Sequence, residues 1–172
     1  MIKNSTFFVI ELVALMCVSL LVVSCSDDDD PVVEIGNNVQ LNTIGALGEV
    51  LVDSEGTTLY FFSKDVSGES TCSDGCLDSW PIFYLAELNL SDGLEASDFG
   101  AITRADGARQ TTYKGWPLYY FSGDIAPNDV NGEGAGDTWF VAKPDYTVML
   151  ANQDIDGEST TYLVNDLGRS LF

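Results

Sequence analysis

Two stretches of this chain, 59 residues apart, are nearly the same: Leu59-Tyr60-Phe61-Phe62-Ser63-Lys64-Asp65 and Leu118-Tyr119-Tyr120-Phe121-Ser122-Gly123-Asp124. Both read L-Y-[FY]-F-S-x-D. A self-match of this kind points to one structural unit built twice, so the two copies must accept the same fold. The flanking residues indicate which fold. Glu49-Val50-Leu51-Val52 is followed by Asp53-Ser54-Glu55-Gly56 and then by Thr57 to Phe62, which reads as strand, glycine-containing turn, strand. Ala101 to Arg104, Ala105-Asp106-Gly107-Ala108 and Arg109 to Tyr113 repeat the arrangement, and Lys114-Gly115-Trp116-Pro117 turns the chain into Leu118 to Phe121. Alternation places Tyr60 and Phe62 on one face and Phe61 on the other. With Tyr119, Phe121, Trp80, Trp116 and Trp139 they supply the large side chains that a small β domain needs for a core, and a sugar-binding face is the functional alternative for them. No window after residue 38 keeps a helical period; Leu85 to Phe99 comes nearest, and Gly93 interrupts it. The expected fold is all-β, sandwich- or barrel-like and built from repeated strand-turn-strand units, with α+β as the alternative.

The N-terminal residues carry a different signal. Leu12 to Val23 is apolar except for Ser19, too short a run to span a bilayer comfortably and of the length of a signal-peptide core. It ends in Val22-Val23-Ser24-Cys25, which resembles the lipobox of bacterial lipoproteins. That resemblance implies acylation of Cys25 and removal of residues 1–24. The run Asp27-Asp28-Asp29-Asp30 follows at once. It resembles the acidic stretch behind the lipid-bearing cysteine of surface-exported lipoproteins, and four like charges also extend residues 25–38 into a tether. Residues 39–146 then form the repeat β domain, in half-units of about 45–100 and 101–146. Leu163 to Phe172 echoes Leu51 to Tyr60, so residues 147–172 are either a final hairpin that completes the domain or the start of a truncated second unit.

Charge and composition exclude several functions. Seven Lys and Arg face 27 Asp and Glu, for a net charge of −20, which repels a phosphate backbone and argues against nucleic-acid partners. The sequence contains no histidine, which removes the usual general base and the Ser-His and Cys-His nucleophile pairs. Neither a GxGxxG nor a GxxxxGK[ST] stretch occurs. No residue is singled out as catalytic, and hydrolysis by paired carboxylates has no pair to point to.

The repeat brings a resemblance. Tyr60-x-Phe62-x-x-Asp65 and Tyr119-x-Phe121-x-x-Asp124 occur together with Cys72-x-x-x-Cys76, Trp80-Pro81, Asp106-Gly107, Gln110-Thr111-Thr112-Tyr113, Gly115-Trp116-Pro117 and Trp139. This ordered set, over roughly residues 45–145, is similar to the bacterial secreted-repeat lipoproteins with the Yx(FWY)xxD motif. The resemblance implies a secreted or lipid-anchored protein and carries no biochemical activity with it.

Three features are candidates for chemistry. Cys72 and Cys76, in an oxidising compartment, are expected to form a structural disulfide worth about 2 kcal/mol. The alternative is an envelope redox pair, but the spacing is CxxxC, and Asp74 and Asp78 would raise rather than lower a thiol pKa. The motif aspartates Asp65 and Asp124 either cap the turns they enter or act as ligands. The loop from Gly123 to Asp137 has four glycines and many oxygens. Asp124, Asp129, Asn131 and Asp137 are its calcium candidates, although a loop of this composition can equally be plain solvated surface. No other cofactor is expected. The sequence thus points to an exported lipoprotein domain anchored to the outer membrane through Cys25 and exposed at the cell surface. Its role is non-catalytic, in binding or envelope structure, and its protein or glycan partner is not specified. A redox protein using the CxxxC pair is the alternative.

Overall fold

The computed structural model describes residues 38–171. Among the described residues nine strands, all paired antiparallel, carry the fold: β1 (Val39–Thr43), β2 (Glu49–Asp53), β3 (Tyr60–Phe62), β4 (Phe99–Thr103), β5 (Arg109–Tyr113), β6 (Trp116–Tyr119), β7 (Trp139–Val141), β8 (Met149–Ile155) and β9 (Glu158–Val164). Among the described residues the longest helix is the single turn α1 (Cys76–Ser79), and the rest are 3-10 turns, so the all-β expectation holds. β4-β5-β6-β3-β7 form a five-stranded sheet, and β1-β2 and β8-β9 are separate two-stranded hairpins.

The turns follow from local chemistry. Asp53 Oδ1 accepts the N–H groups of Glu55 and Thr57, closing the β2–β3 connection, and Gly56 takes the positive φ of 83° that the turn requires. Between β5 and β6 only Lys114 and Gly115 turn the chain, both at positive φ, the pattern of a two-residue hairpin turn. Trp116 and Pro117, expected within that turn, therefore lie in the strand itself. Residues 85–99 contain no α-helix, only a 3-10 turn at Ala96–Asp98.

The core has three parts. Leu51, Leu59, Phe83, Tyr113 and Leu118 form one cluster. Tyr60, Phe62, Trp80, Tyr119 and Trp139 form a second, and Phe61 lies on the opposite face of β3 with Trp116, Met149 and Val164. The period-two reading of Tyr60, Phe61 and Phe62 is thus realised. Full burial of a side chain of this size contributes about 1.5–3 kcal/mol, so these residues supply most of the driving force. Residues 147–171 add the hairpin β8–β9, whose Met149, Ala151 and Val164 pack into the third cluster.

Candidate functional site

The two motif strands meet at the centre of the sheet. β3 and β6 pair antiparallel with Tyr60 directly opposite Tyr119, so the repeats are related by an approximate twofold axis through that pair. β3 runs into the 3-10 turn Ser63–Asp65, and β6 runs out to Asp124. Antiparallel neighbours leave the sheet in opposite directions, so each tyrosine lies beside the other strand's exit. Tyr119 Oη donates to Asp65 Oδ2 at 2.6 Å, and Tyr60 Oη donates to Asp124 Oδ2 at 2.6 Å. The tyrosine of each motif is held by the aspartate of the other.

The phenylalanines follow the same crossed rule, while each tyrosine keeps the tryptophan of its own half. Trp80 and Trp139, again 59 residues apart, stack face to face with centroids 3.9 Å apart and planes 2° from parallel. Phe62 stacks on Trp139 at 4.1 Å, and Phe121 lies against Trp80 at 4.5 Å with its plane tilted by 32°, giving a four-ring pile across the axis. Tyr60 meets Trp80 edge-on at 5.4 Å, and Tyr119 meets Trp139 edge-on at 5.1 Å. Such pairs contribute about 0.5–1.5 kcal/mol each beyond the area they bury. The strand behind each tryptophan crosses over too. Ala142 N–H donates to Leu59 C=O at 2.8 Å, and Phe83 N–H donates to Leu118 C=O at 3.0 Å.

The surroundings of the two clasps differ. Asp65 is fully buried. Its Oδ1 accepts both the N–H and the hydroxyl of Thr71, so the turn-capping expectation is met alongside the cross-bond. Behind it runs a relay of donors: Arg104 donates to Ser70 Oγ, Ser70 lies 2.6 Å from Tyr119 Oη, and Tyr119 donates to Asp65. Arg104 also donates to Gln110 Oε1 and to the Cys72 C=O. Burial still outweighs these partners and pushes the Asp65 carboxyl above its ordinary value. Asp124 is half-exposed. Its Oδ1 accepts the Asn131 N–H at 2.9 Å, and partial burial raises its pKa as well. Gly132 donates its N–H to Tyr60 Oη and leaves room for the ring pile, since a Cβ there would stand 2.7 Å from Trp80. Both motif tyrosines are pushed upward, first by burial and then by the carboxylate each touches. Sequence reasoning took the tyrosines and aspartates as motif members but did not pair them. Arg104 escaped it, Gln110 was a member of the ordered set with no role assigned, and the 59-residue offset joining Trp80 to Trp139 was the available signal for the ring pile.

The remaining candidates fall around this centre. Cys72 and Cys76 form a disulfide, with Cα atoms 5.5 Å apart, between the Asp65 turn and α1. Cys72 is buried. Asp129 Oδ2 accepts the N–H groups of Ile125 and Ala126, Asn131 Nδ2 donates to Gly123 C=O, and Asp137 is exposed in the 3-10 turn before β7. The carboxylates of Asp124 and Asp129 are thus engaged by separate sets of donors. Among the described residues no group of three or more Asp, Glu or Cys side chains is placed to hold a metal ion. An open polar groove of about 370 Å³ runs between the first motif's exit and the last hairpin, lined by Lys64, Ser67, Thr71, Asn152 and Asp154 among others. Cys25 and Asp27 to Asp30 lie outside the described residues.

A centre in which each half is completed by the other defines a two-copy β-repeat protein. Residues 43–83 and 100–143 each match the family described as a secreted repeat of unknown function, and the chain belongs to that family. Each matched stretch begins at its first hairpin or within it and runs through the motif to the strand behind the tryptophan. Membership of a secreted family makes this an exported protein. No curated protein and no solved structure matches the chain.

Proposed function

We propose that this protein is a lipid-anchored, non-catalytic module of the cell envelope, held by Cys25 in the outer membrane and presenting its double β-repeat at the surface for a binding or structural role. One observation carries the non-catalytic reading: the polar groups of the repeated Tyr-x-Phe-x-x-Asp stretch are engaged with one another. Tyr60 donates to Asp124 and Tyr119 donates to Asp65, each at 2.6 Å, and both tyrosine rings pack edge-on against the stacked tryptophans. A hydroxyl and a carboxylate joined in this way brace the two copies. The groove beside Lys64 and Asn152 lies outside the clasps and offers a polar surface to a ligand. The anchor is supported by the apolar run that stops at Val23-Ser24-Cys25, and surface display by the acidic run behind it.

Labelling cells with a fatty-acid analogue tests the anchor. Wild-type protein takes the label and Cys25→Ala does not; equal labelling of both overturns the anchoring. Protease accessibility on intact cells tests display. Replacing Asp27 to Asp30 with alanine protects the domain if the acidic run directs it outward, and unchanged accessibility refutes that part of the reading.

A further inference from the structure

Three hairpins in this molecule are built alike, and two of them are closed by a further strand. In the first, Leu51 lies opposite Leu41, its C=O accepts the Leu59 N–H at 2.9 Å, and the following turn is capped by Asp53. The last hairpin repeats each element. Leu163 lies opposite Leu150, its C=O accepts the Leu171 N–H at 3.0 Å, and Asn165 Oδ1 accepts the N–H groups of Leu167 and Arg169. The bridges Val52–Thr58 and Val164–Ser170 correspond as well. In the middle hairpin, β4 with β5, Thr111 lies opposite Ala101; the turn into β6 is the two-residue Lys114-Gly115 rather than a capped one, and Thr111 and Leu118 stand where Leu51 and Leu59 stand in the first.

The closing strand uses the same two backbone groups each time. Leu51 N–H donates to Ala142 C=O, and Ala142 N–H returns to Leu59 C=O, both at 2.8 Å. Thr111 N–H donates to Phe83 C=O at 2.9 Å, and Phe83 N–H returns to Leu118 C=O. The corresponding groups of the last hairpin are the Leu163 N–H and the Leu171 C=O. The two-residue turn at Asp156-Gly157 makes Ile155 and Glu158 a hydrogen-bonded pair. Alternation along the ladder then makes Leu150–Leu163 a non-hydrogen-bonded pair, so the Leu163 N–H points away from β8. Among the described residues no strand lies against it. Leu163 and Leu171 are 51% and 47% exposed, whereas Leu51 and Leu59 are at 0%.

We propose that the last hairpin is a strand acceptor: it binds, by edge addition, the tryptophan-led strand of a further secreted-repeat unit, seated as Ala142 is seated on the first hairpin. The occupant follows from the two closed cases. Both are filled by an uncharged strand directly behind a tryptophan, Trp80-Pro81-Ile82-Phe83 or Trp139-Phe140-Val141-Ala142. In both, the strand comes from the neighbouring copy rather than from the hairpin's own. The described residues hold two such strands and three acceptors, and both strands are in use. Backbone pairing supplies the affinity and the apolar patch of Leu150, Leu163 and Leu171 the selectivity, as in other cases of β-augmentation.

The test appends a second copy of residues 134–145 behind the full chain through a Gly/Ser linker of about 15 residues, which sets an effective concentration in the millimolar range. Amide hydrogen exchange is then read residue by residue. Exchange of the Leu163 amide should slow by tenfold or more towards the rate of Leu51, on the order expected for an added ladder bond. Unchanged Leu51 and Thr111 amides report an intact body. Leu163 exchanging as fast in the fusion as in the parent overturns the proposal. So does equal protection from an appended segment carrying Trp139→Ser and Val141→Ser. Protection that appears in the parent alone as its concentration rises also overturns it, since the occupant would then be a second copy of the whole protein.

Discussion

The two Tyr–Asp clasps make the same bond in unlike surroundings. The Tyr119–Asp65 clasp is sealed. It is backed by Arg104, Ser70, Gln110 and a disulfide, and its carboxylate has no contact with water. The Tyr60–Asp124 clasp faces a glycine-rich loop, and its carboxylate is half in solvent. What the copies share is the tyrosine, the aspartate, the aromatic two residues after the tyrosine, and the tryptophan; where Cys72 stands in one, Asn131 stands in the other. The shared set is what joins the halves, and the divergent set decides how dry each joint is. A hydrogen bond to a charged group contributes about 1.5–3 kcal/mol when removing it strands a buried partner, and nearer 1 where water can take its place.

Variants separate what the joints share from what they do not. The largest losses fall on the shared ring pile: Trp80→Ala and Trp139→Ala should each cost about 3–5 kcal/mol in urea unfolding, with the double variant costing less than the sum because the rings touch. The joints part company at the tyrosines. Tyr119→Phe should cost about 2–3 kcal/mol and Tyr60→Phe about 1 kcal/mol; equal losses would mean that burial of Asp65 does not matter. Cys72→Ser with Cys76→Ser removes a short closed loop and should cost about 2 kcal/mol, with the Tyr60 side unaffected.

Acidity acts on both joints with the same sign, because burial raises the carboxyls of Asp65 and Asp124 alike, Asp65 being the more deeply buried. Burial raises the folded pKa of Asp65 above its ordinary value of 3.8, so the native state keeps this proton to higher pH than the unfolded chain. The stability this group contributes is therefore present below its ordinary range. It falls as pH rises from there through the folded pKa, and is flat above. Unfolding curves taken upward from about pH 4 should show that decline, and Asp65→Asn should remove its share of the slope. At the alkaline end the signs agree for both joints: Tyr60 and Tyr119 hold their protons in the fold while unfolded tyrosine ionises near pH 10, so stability drops above about pH 10. The smallest effect concerns the open side. Asp124 and Asp129 already accept backbone N–H groups, so millimolar calcium, compared with chelator at fixed ionic strength, should leave the melting temperature unchanged; a rise abolished by Asp129→Ala with Asp137→Ala would make the loop a site.

Much of the fold was legible in the sequence because strand alternation and turn chemistry are local. Ala101 to Tyr113 reads as a hairpin and is one, whereas Val50 to Phe62 keeps its strand-turn-strand order but joins by a single bridge, Val52–Thr58, with β2 paired along its length to β1 instead. Tyr60 and Phe62 share a face for the same reason. The crossing of the clasps was not legible. Asp65 follows Tyr60 closely in sequence, and local reasoning assigns it to its own turn, where Thr71 indeed holds it. Its second partner comes from a register set across the molecule, by Tyr60 facing Tyr119. Arg104 was hidden differently: it stands beside the turn residues Asp106-Gly107, where an exposed arginine is ordinary, and only tertiary packing buries it against Cys72 and Gln110. The disulfide was readable because compartment and spacing suffice to predict it.

Crossed halves also set the order in which the molecule can assemble. The two clasps close chain separations of 64 and 54 residues, and neither can form while only one copy exists. The hairpins can appear early, in microseconds, but the motif strands stay unsupported until Trp139 has arrived. Assembly is then one concerted event rather than two successive ones, with the slow kinetics of long-range β pairing. A chain cut between the copies should give two fragments that are unstructured apart and fold together when mixed.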